Sequence, residues 1–231
     1  RGIKPGEYDE VILLDDLSTQ RYASLFNLPE GVKFRFIEED IGKTNWDERL
    51  KGVDVVFHFA AITDAASSFG KEEQVERVNF EGTKRLAEGC ARSGSRLIFP
   101  STTSVYGVQG NLVDEDCSAE DLKPQSPYAA SKLKAEDYLA QLGQKDNLKF
   151  VVLRLGTIFG TSTGMRFHTA VNKFCWQAVM GQPVSVWRTA LHQKRPYLDL
   201  NDAVEAFKFI IHKDLFDGRT YNVVTANATV N

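Results

Sequence analysis

Short apolar segments alternate with helical segments along most of this chain. Three early segments are predicted as strands, and each is apolar almost throughout: 10–15, 33–37 and 53–59. Strands of this character are typical of a parallel sheet that is covered by helices on both faces. Later strands are predicted at 95–100 and 149–154, and helices at 71–91 and from Tyr128 onward. The alternation predicts an α/β fold with a doubly wound parallel sheet.

A cluster of hydroxyl side chains, residues 101–104, follows the fourth of these strands. It lies where open α/β sheets bind their ligands. Pro127 predicts a helix start, so Tyr128 and Lys132 lie one turn apart on one helix face. A phenol, an ammonium and a fixed hydroxyl can take the proton of an alcohol if the phenol pKa, about 10 in the free residue, falls by roughly three units. Seen alone, the pair also fits a solvated helix face, and the cluster also fits a capped turn.

The charge pattern indicates neither a nucleic-acid partner nor a membrane. The net charge is -3, and both signs are mixed along the chain. No apolar run approaches the roughly 20 residues of a membrane span. Cys90, Cys117 and Cys175 are odd in number and widely spaced, which favours a reducing compartment and hence a cytoplasmic location. No metal site is predicted from the spacing of the histidines, which are His58, His168, His192 and His212.

Several motifs occur in one order along the chain. They span residues 11–16, 55–61, 78–83, 101–107, 126–132, 153–156 and 195–202. In this order they resemble the extended short-chain dehydrogenase/reductases, and among them the NAD-dependent epimerase/dehydratase family with its UDP-glucose 4-epimerase-like members. The resemblance implies a Rossmann-like fold, NAD as the cofactor and a nucleotide sugar, most often a UDP-sugar, as the substrate. It also implies a homodimer that pairs the helices at 71–91 and 128–142.

The resemblance assigns most cofactor contacts to the ends of the first three strands. Asp15 would accept hydrogen bonds from the adenosine ribose and repel a 2'-phosphate, which favours NAD over NADP. Asp40 would reach the adenine amino group, and Asn79 would support the active-site strand. The expected cofactor-binding residues are Asp15, Asp16, Ser18, Asp40, Ile41, Phe59, Ala60, Ala61, Asn79, Tyr128 and Lys132. Capping carboxylates, surface turns and close helix packing are the alternative roles for these positions.

The same resemblance assigns the catalytic residues, which are Thr102, Tyr128 and Lys132. Ser104 would present a second hydroxyl to the substrate. Dehydratases of the family carry an Asp-Glu pair at the positions of Thr103 and Ser104, so this chain is expected to oxidise and re-reduce its substrate instead of removing water. The expected substrate-binding residues are Thr63, Thr102, Ser104, Thr157, Arg166 and Arg195. Surface ion pairs are the alternative for the two arginines.

The function predicted from these assignments is NAD-dependent epimerisation of a nucleotide sugar. The Tyr128 phenolate would take the C4 hydroxyl proton as hydride leaves, helped by Thr102, while Lys132 holds the phenol pKa down. The keto sugar would then rotate and be reduced on its other face. Two alternatives stay open, a one-way NAD-dependent sugar or alcohol dehydrogenase or reductase, and a non-catalytic dinucleotide-sensing protein.

A Rossmann-like domain opens with a strand and a glycine-rich turn, but no such turn precedes Asp15. Arg1 and Gly2 resemble the end of the helix that follows that turn. The chain is therefore expected to be truncated at its N-terminus, with the absent strand between those ending at Asp15 and Phe59, and truncated again after a strand at 220–224. The predicted domains are an NAD-binding domain at 1–158 and a partial substrate-binding region at 159–231, interleaved with the first near 195–224.

Overall fold

A computed structural model of the chain describes residues 3–20, 22–109, 113–167, 169–186 and 191–230. The strands are β1 (Val11–Asp15), β2 (Phe34–Glu38), β3 (Val55–Phe57), β4 (Arg96–Thr102), β5 (Phe150–Leu155), β6 (Thr157–Phe159), β7 (Arg195–Asp199), β8 (Thr220–Val223) and β9 (Ala226–Ala228). The helices are α1 (Trp46–Arg49), α2 (Glu72–Val75), α3 (Gly82–Ser93), α4 (Pro127–Asp146), α5 (Ala170–Val179) and α6 (Leu200–His212). Arg1 and Gly2, at the predicted end of a helix, lie outside the described residues.

The centre of the fold is a parallel sheet with the strand order β3-β4-β5-β8. Every residue of β5 is buried, and so is every residue of β4 after Arg96. Strands of this kind need cover on both faces, because each face carries apolar side chains. The predicted α/β fold with a parallel central sheet is therefore confirmed.

Side chains of β4 and β5 alternate between two hydrophobic cores. One core lies under α3 and α4, and the other lies under α6. The alternation follows from the two-residue period of a strand, which sends successive side chains to opposite faces. From the two strands, the first core receives Leu97, Phe99, Phe150 and Val152, and the second receives Ile98, Val151, Leu153 and Leu155.

Two smaller sheets accompany the central one. Strands β1 and β2 form a parallel pair, and β6, β7 and β9 form a sheet in which β9 is antiparallel. Within the described ranges, β1 is not hydrogen-bonded to β3. The predicted domain boundary after residue 158 falls inside β6, whereas β8 lies in the central sheet beside β5. The domain limits and the strand expected between β1 and β3 stay predictions.

Strand β3 is shorter than the predicted 53–59. It ends at Phe57, because the next residues turn away and the N–H of Phe59 bonds the carbonyl of Phe57. Phe57 and Phe59 are 38% and 57% exposed. Their rings stack with centroids 5.9 Å apart, and the edge of each meets Phe207 of α6. This segment is thus a partly exposed aromatic cluster and not a fully covered strand.

The helix predicted at 71–91 extends from Glu72 to Ser93 with a π-helical stretch, Glu76–Glu81, between α2 and α3. Two glycines allow this helix to approach its neighbours closely. A Cβ at Gly82 would lie 2.6 Å from Cδ1 of Ile41, and one at Gly89 would lie 2.7 Å from Cβ of Trp46. Larger residues at these positions would force the first core apart.

His58 lies just after β3 and is 2% exposed. Its Nε2 is 2.8 Å from Oγ1 of Thr83, and that hydroxyl donates its proton to the carbonyl of Asn79 at 2.6 Å. Because a hydroxyl has one proton, Nε2 of His58 must be the donor in the first bond. Burial, with the charge of Lys132 as a second cause, lowers the pKa of His58 to about 3. His58 is therefore a hydrogen-bonded core residue.

We predict that His58 makes the stability of the chain fall as the pH drops from about 6.5 toward about 3. In this range the unfolded histidine binds a proton and the folded one does not, so acid favours unfolding by about 1.4 kcal/mol per pH unit. Urea unfolding at about pH 7 and about pH 4.5 measures the loss. His58→Gln, which keeps a donor for Thr83 but does not titrate, should lose about 2–3 kcal/mol less than the wild type. Equal losses in the two proteins would contradict this account.

Candidate active site

The first turn of α4 is fixed by several hydrogen bonds. The helix begins at Pro127, one residue before the predicted start, and Ser126 caps it by accepting the N–H of Ala129 at 3.1 Å. Proline suits the first helical position because its missing N–H would have no partner there. The N–H of the next residue, Tyr128, donates to Oγ of Ser68 at 3.4 Å. The backbone of Tyr128 is thereby held in place.

The half-buried phenol of Tyr128 lies near Thr102 and Arg166. Burial raises the pKa of the phenol, while hydrogen bonding with Thr102 and the positive charge of Arg166 act against the rise. The net change is upward, whereas the sequence predicted a lowered pKa. The physical reason is that desolvation of the phenolate outweighs the two favourable interactions.

Thr102 is the last residue of β4, which runs three residues beyond Phe99. The extension forms because Ser101 and Thr102 continue the pairing with β5. Oγ1 of Thr102 accepts the N–H of Ser104 at 3.1 Å and so caps the short 3-10 turn Thr103–Tyr106. Thr102 is 8% exposed, and Ser104 is exposed. The strand thus delivers a fixed hydroxyl to the phenol at its carboxyl end.

Arg166 precedes α5 and lies against the loop after β3. Its Nη1 donates to Oγ1 of Thr63. Asn172 of α5 positions this segment, since its Nδ2 donates to the carbonyl of Arg166 at 3.0 Å and its Oδ1 accepts the N–H of Gly160 at 3.1 Å. Two residues that the sequence assigned to the substrate, Thr63 and Arg166, are therefore brought to the neighbourhood of Tyr128.

Lys132 is 3% exposed. Its Nζ donates to the carbonyl of Pro100 at 2.8 Å and lies 4.4 Å from the ring centroid of Phe99. Burial lowers the pKa of Lys132 to about 8, and the charge of Glu136 opposes that fall. Within the described part of the chain, Thr102 and Arg166, and not Lys132, are the groups that lower the phenol pKa. The ammonium is directed toward β4 instead.

Asn79 lies in the π-helical stretch and is 1% exposed. Its Oδ1 accepts the N–H of Ile62 at 2.7 Å, and its Nδ2 donates to the carbonyl of Ile62 at 3.0 Å and to Oγ of Ser131 at 3.1 Å. The amide therefore joins the loop after β3 to the helix that carries Tyr128 and Lys132. Asn79 therefore has a structural role, because it links two segments that form the site.

The sequence analysis missed a buried ion pair beneath the site. Arg154 of β5 binds Oε2 of Glu136 through Nη2 at 2.6 Å and through Nε at 3.1 Å. Oε1 of Glu136 accepts the hydroxyl of Ser101. Burial alone would lower the pKa of Arg154, but the bond to Glu136 and its charge raise it. The available signal was a single charged residue inside the otherwise apolar strand.

The network continues from Arg154 to the neighbouring strand β8. Nη1 of Arg154 donates to the hydroxyl of Tyr106 at 3.0 Å, and that hydroxyl donates to Oδ1 of Asn222 in β8 at 2.8 Å. Nδ2 of Asn222 then donates to Glu115 at 2.6 Å. Polar side chains thus connect α4, β4, β5 and β8 in one chain of hydrogen bonds.

The acidic residues after β1 fit the adenosine end of NAD. Asp15 is exposed at the carboxyl end of the strand, and its Oδ1 accepts the N–H of Leu17 at 2.7 Å. Asp16 accepts the N–H of Ser18 at 3.0 Å. Burial would raise the pKa of Asp16, but the hydrogen bonds from Ser18 outweigh it and lower the pKa. Carboxylates at this position can accept ribose hydroxyls.

The other expected cofactor residues follow β2 and β3. Oδ1 of Asp40 accepts the N–H of Gly42 at 2.8 Å, so this carboxylate closes a turn. The side chain of Ile41 is 8% exposed and packs against Gly82, which leaves its backbone to meet a ligand. The observation that fits NAD is the exposed carboxylate of Asp15 at the end of β1, which can accept ribose hydroxyls. Phe59, Ala60 and Ala61 lie past the end of β3 and are at least partly exposed.

Two expected substrate residues lie apart from this group. Thr157 pairs with Tyr197 between β6 and β7. Arg195 is exposed at the start of β7, where its Nη2 donates to Gln193 at 3.0 Å. No described contact joins either residue to Tyr128. In the described part of the chain, which excludes His168, no group of three or more His, Cys, Asp or Glu side chains could hold a metal ion.

Comparison with known proteins identifies the family. The family described as "NAD dependent epimerase/dehydratase family" matches residues 3–223. The chain belongs to this family. A relative from Bacillus subtilis (strain 168), "Uncharacterized UDP-glucose epimerase YtcB", is 31% identical over 204 residues, which cover 87% of this chain and 62% of the relative. The chain therefore spans less than two thirds of that relative's length.

Solved structures share the fold. A UDP-N-acetylglucosamine 4-epimerase from Methanobrevibacter ruminantium M1, in complex with UDP-N-acetylmuramic acid, has a TM-score of 0.82 at 25% identity over 96% of this chain and 71% of that chain. A UDP-glucuronic acid 4-epimerase from Bacillus cereus, in complex with UDP-glucuronic acid and NAD, has a TM-score of 0.81 at 27% identity with the same coverage. The predicted family, Rossmann-like fold class and cofactor are confirmed.

We predict that Asn79→Ala lowers the free energy of unfolding by about 1–3 kcal/mol, because it leaves the partly buried N–H and carbonyl of Ile62 without these partners. Urea unfolding measures the change. Asn45→Ala is the matched control, since Asn45 is exposed at the start of α1 and makes no side-chain cap. The control should change stability by less than about 0.5 kcal/mol. Losses of equal size in the two variants would contradict the role given to Asn79.

Proposed function

We propose that this chain carries the catalytic site of an NAD-dependent nucleotide-sugar 4-epimerase. The observation that carries the proposal is the group formed by Tyr128, Thr102 and Lys132 at the carboxyl end of β4. Open α/β sheets bind their ligands at this edge. The relatives described above, which are named as epimerases of UDP-sugars, support the assignment.

In the proposed reaction, Tyr128 moves one proton in each direction. NAD, when bound, accepts a hydride from the sugar and later returns it. Tyr128, ionised in the occupied site, accepts the proton of the C4 hydroxyl as hydride leaves C4, so that the alcohol becomes a ketone, and Thr102 hydrogen-bonds the same oxygen. After the 4-keto sugar has rotated, hydride returns to its other face and Tyr128 gives the proton back. The C4 centre is inverted without net oxidation.

Two cations lie near this proton transfer. Arg166 acts directly on the phenol, and Lys132 lies one helical turn away on the same face. A nearby positive charge favours the phenolate over the phenol. Of the two, Arg166 reduces the free energy needed to ionise a half-buried Tyr128. A tyrosine needs such stabilisation of its phenolate to act as a base near neutral pH. Lys132 is held against β4 and is proposed to contact the ribose of NAD.

The side chains at positions 103 and 104 argue against water elimination. Thr103 is turned toward β5, where its hydroxyl donates to the carbonyl of Leu155 at 3.3 Å, and Ser104 is exposed. Neither can serve as the carboxyl acid or base that a dehydration needs. Oxidation and re-reduction at one carbon fit the group better.

The substrate contacts are part of the same proposal. A guanidinium binds phosphate oxygens well, so Arg166 and Arg195 suit a nucleotide diphosphate, with a UDP-sugar as the favoured substrate. The hydroxyls proposed for the sugar and its neighbourhood belong to Thr63, Ser104 and Thr157. The domain limits at 158 and 159 accompany this proposal, with the substrate-binding region in the second part.

We further propose a homodimer formed through α3 and α4. These helices pack side by side, with Tyr138 in contact with Phe80, Lys84 and Glu88. Sedimentation of the protein encoded by the full open reading frame as a monomer would contradict the proposed dimer. A cytoplasmic location is proposed from the three free cysteines, and cell fractionation tests it. No helix in the described ranges is long and apolar enough to cross a membrane.

We predict that the product of the full open reading frame, purified with any retained cofactor, converts UDP-glucose to UDP-galactose. NMR follows the sugar, and absorbance follows NADH in the same sample. Galactose signals without NADH would establish 4-epimerisation. Accumulation of NADH would assign a dehydrogenase instead. Binding of NAD without turnover across a panel of nucleotide sugars would contradict the proposal and favour a dinucleotide-sensing protein.

We predict that Tyr128→Phe lowers kcat by about 10²–10⁴-fold and leaves NAD affinity nearly unchanged, because the ring stays and only the proton-transferring hydroxyl is lost. Steady-state kinetics and a cofactor titration measure both effects. Tyr138→Phe is the matched control on the same helix, since its hydroxyl donates to Glu88 at 2.6 Å and lies roughly 15 Å along α4 from Tyr128. Turnover retained by Tyr128→Phe would refute the assignment.

A further inference from the structure

Three buried charged side chains lie between α4, which carries Tyr128, and the central sheet. They belong to Lys132, Glu136 and Arg154, which are 3%, 6% and 5% exposed. Burial of a charge is unfavourable unless it is paired and hydrogen-bonded. The proposed reaction uses only Lys132. Glu136 and Arg154 therefore have a purpose that the reaction does not yet explain.

Glu136 has both of its oxygens occupied. Oε2 accepts Nη2 and Nε of Arg154 at 2.6 and 3.1 Å, and the same Nε lies 3.3 Å from Oε1, so the carboxylate is held by charge-assisted hydrogen bonds. Oε1 takes the hydroxyl of Ser101, the residue before Thr102. The carboxylate is therefore held at one place between α4, β4 and β5.

Lys132 lies four residues before Glu136, on the same face of α4. Its direct partners are neutral, namely the carbonyl of Pro100 and the ring of Phe99. Among the other groups around it, His58 beside β3 is neutral above about pH 3. Glu136 supplies the negative charge that opposes the effect of burial on Lys132.

Two arginines near the site, within the described part of the chain, act on other groups. Arg154 of β5 is paired with Glu136 and donates to Tyr106, and Arg166 before α5 acts on the phenol of Tyr128. Neither arginine opposes the discharge of Lys132, since each carries the same sign. Among the described residues, the carboxylate that keeps the lysine charged is therefore Glu136.

We propose that Glu136 is a positioning residue of the active site, which keeps Lys132 charged at working pH and, through Ser101, fixes the end of β4 that carries Thr102. This inference rests on the proposed function, because it concerns the groups that assist Tyr128. Arg154 has the supporting role of holding Glu136 in place. One carboxylate thus serves both the lysine and the threonine of the site.

The test is an NMR titration of Lys132 in the protein encoded by the full open reading frame. The lysine side chains are labelled with ¹³C, and the Lys132 signal is assigned by its absence from Lys132→Met. In the wild type the titration should be centred near pH 8. Glu136→Gln keeps the shape of the side chain and removes its charge. It should move the titration down by about one pH unit, and kcat at about pH 8 should fall about fivefold with a smaller change in KM.

Glu136→Asp keeps the charge and should restore the titration to within about half a unit of the wild type. Glu88→Gln is the matched control, because it removes a half-buried carboxylate that binds the same helix through Tyr138. It should leave the titration of Lys132 unchanged. A Glu136→Gln protein in which Lys132 titrates as in the wild type would overturn the proposal.

A second variant guards against a failure to fold. Glu136→Gln combined with Arg154→Met leaves neither charge unpaired in the interior. The downward shift of Lys132 should persist in it, because the lost carboxylate is the charge that acts on the lysine. An unshifted titration there would also overturn the proposal. The titration needs no substrate, so silence in every turnover assay would refute the proposed function and leave this result readable.

Discussion

The buried ion pair between Glu136 and Arg154 joins the helix layer to the central sheet. Both side chains are nearly inaccessible, so desolvation consumes most of the gain from their attraction, yet removal of one partner costs about 3–5 kcal/mol because the other is left buried and unpaired. The pair fixes α4 against β5, and Ser101 extends the contact to β4. Together with the bond from Lys132 to the carbonyl of Pro100, this ion pair places the elements that carry Tyr128, Thr102 and Lys132 relative to one another. Its net contribution to stability is small, but its geometric consequence is large.

The strands and the principal helices could be predicted from the sequence because burial on both faces leaves a readable apolar pattern. The errors occur where polar residues behave as interior ones. Ser101 and Thr102 resemble loop residues, but they continue β4 because their backbones pair with β5 and their hydroxyls find partners inside. Phe57 and Phe59 produce the opposite error. Their apolar character predicted a covered strand, whereas they form an exposed aromatic cluster beside α6.

The candidate site could be predicted in part. The placing of Tyr128 and Lys132 on one helix face follows from local spacing, whereas the choice of Thr102 at the strand end came from the family resemblance. Partners distant in the chain do not leave such a trace: Asn79 binds Ile62, 17 residues earlier, and Arg154 binds Glu136, 18 residues earlier. The π-helical stretch around Asn79 was not predicted from the sequence either. A charged residue in an apolar segment indicates that it has a partner, but only the tertiary structure shows which residue that partner is.

The electrostatics of the site follow from burial acting on two groups of opposite type. Burial raises the pKa of Tyr128 and lowers that of Lys132 to about 8, so it drives both groups toward neutrality. The chain opposes this with one charge for each, Arg166 for the phenol and Glu136 for the lysine. The two compensations are unequal, because Tyr128 stays protonated while Lys132 is still charged at pH 7. Proton loss from Tyr128 therefore becomes favourable only when further positive charge or a proton-donating partner reaches the phenol. The ionisation of Tyr128 thus depends on occupation of the site, and the phenol stays neutral in the empty site.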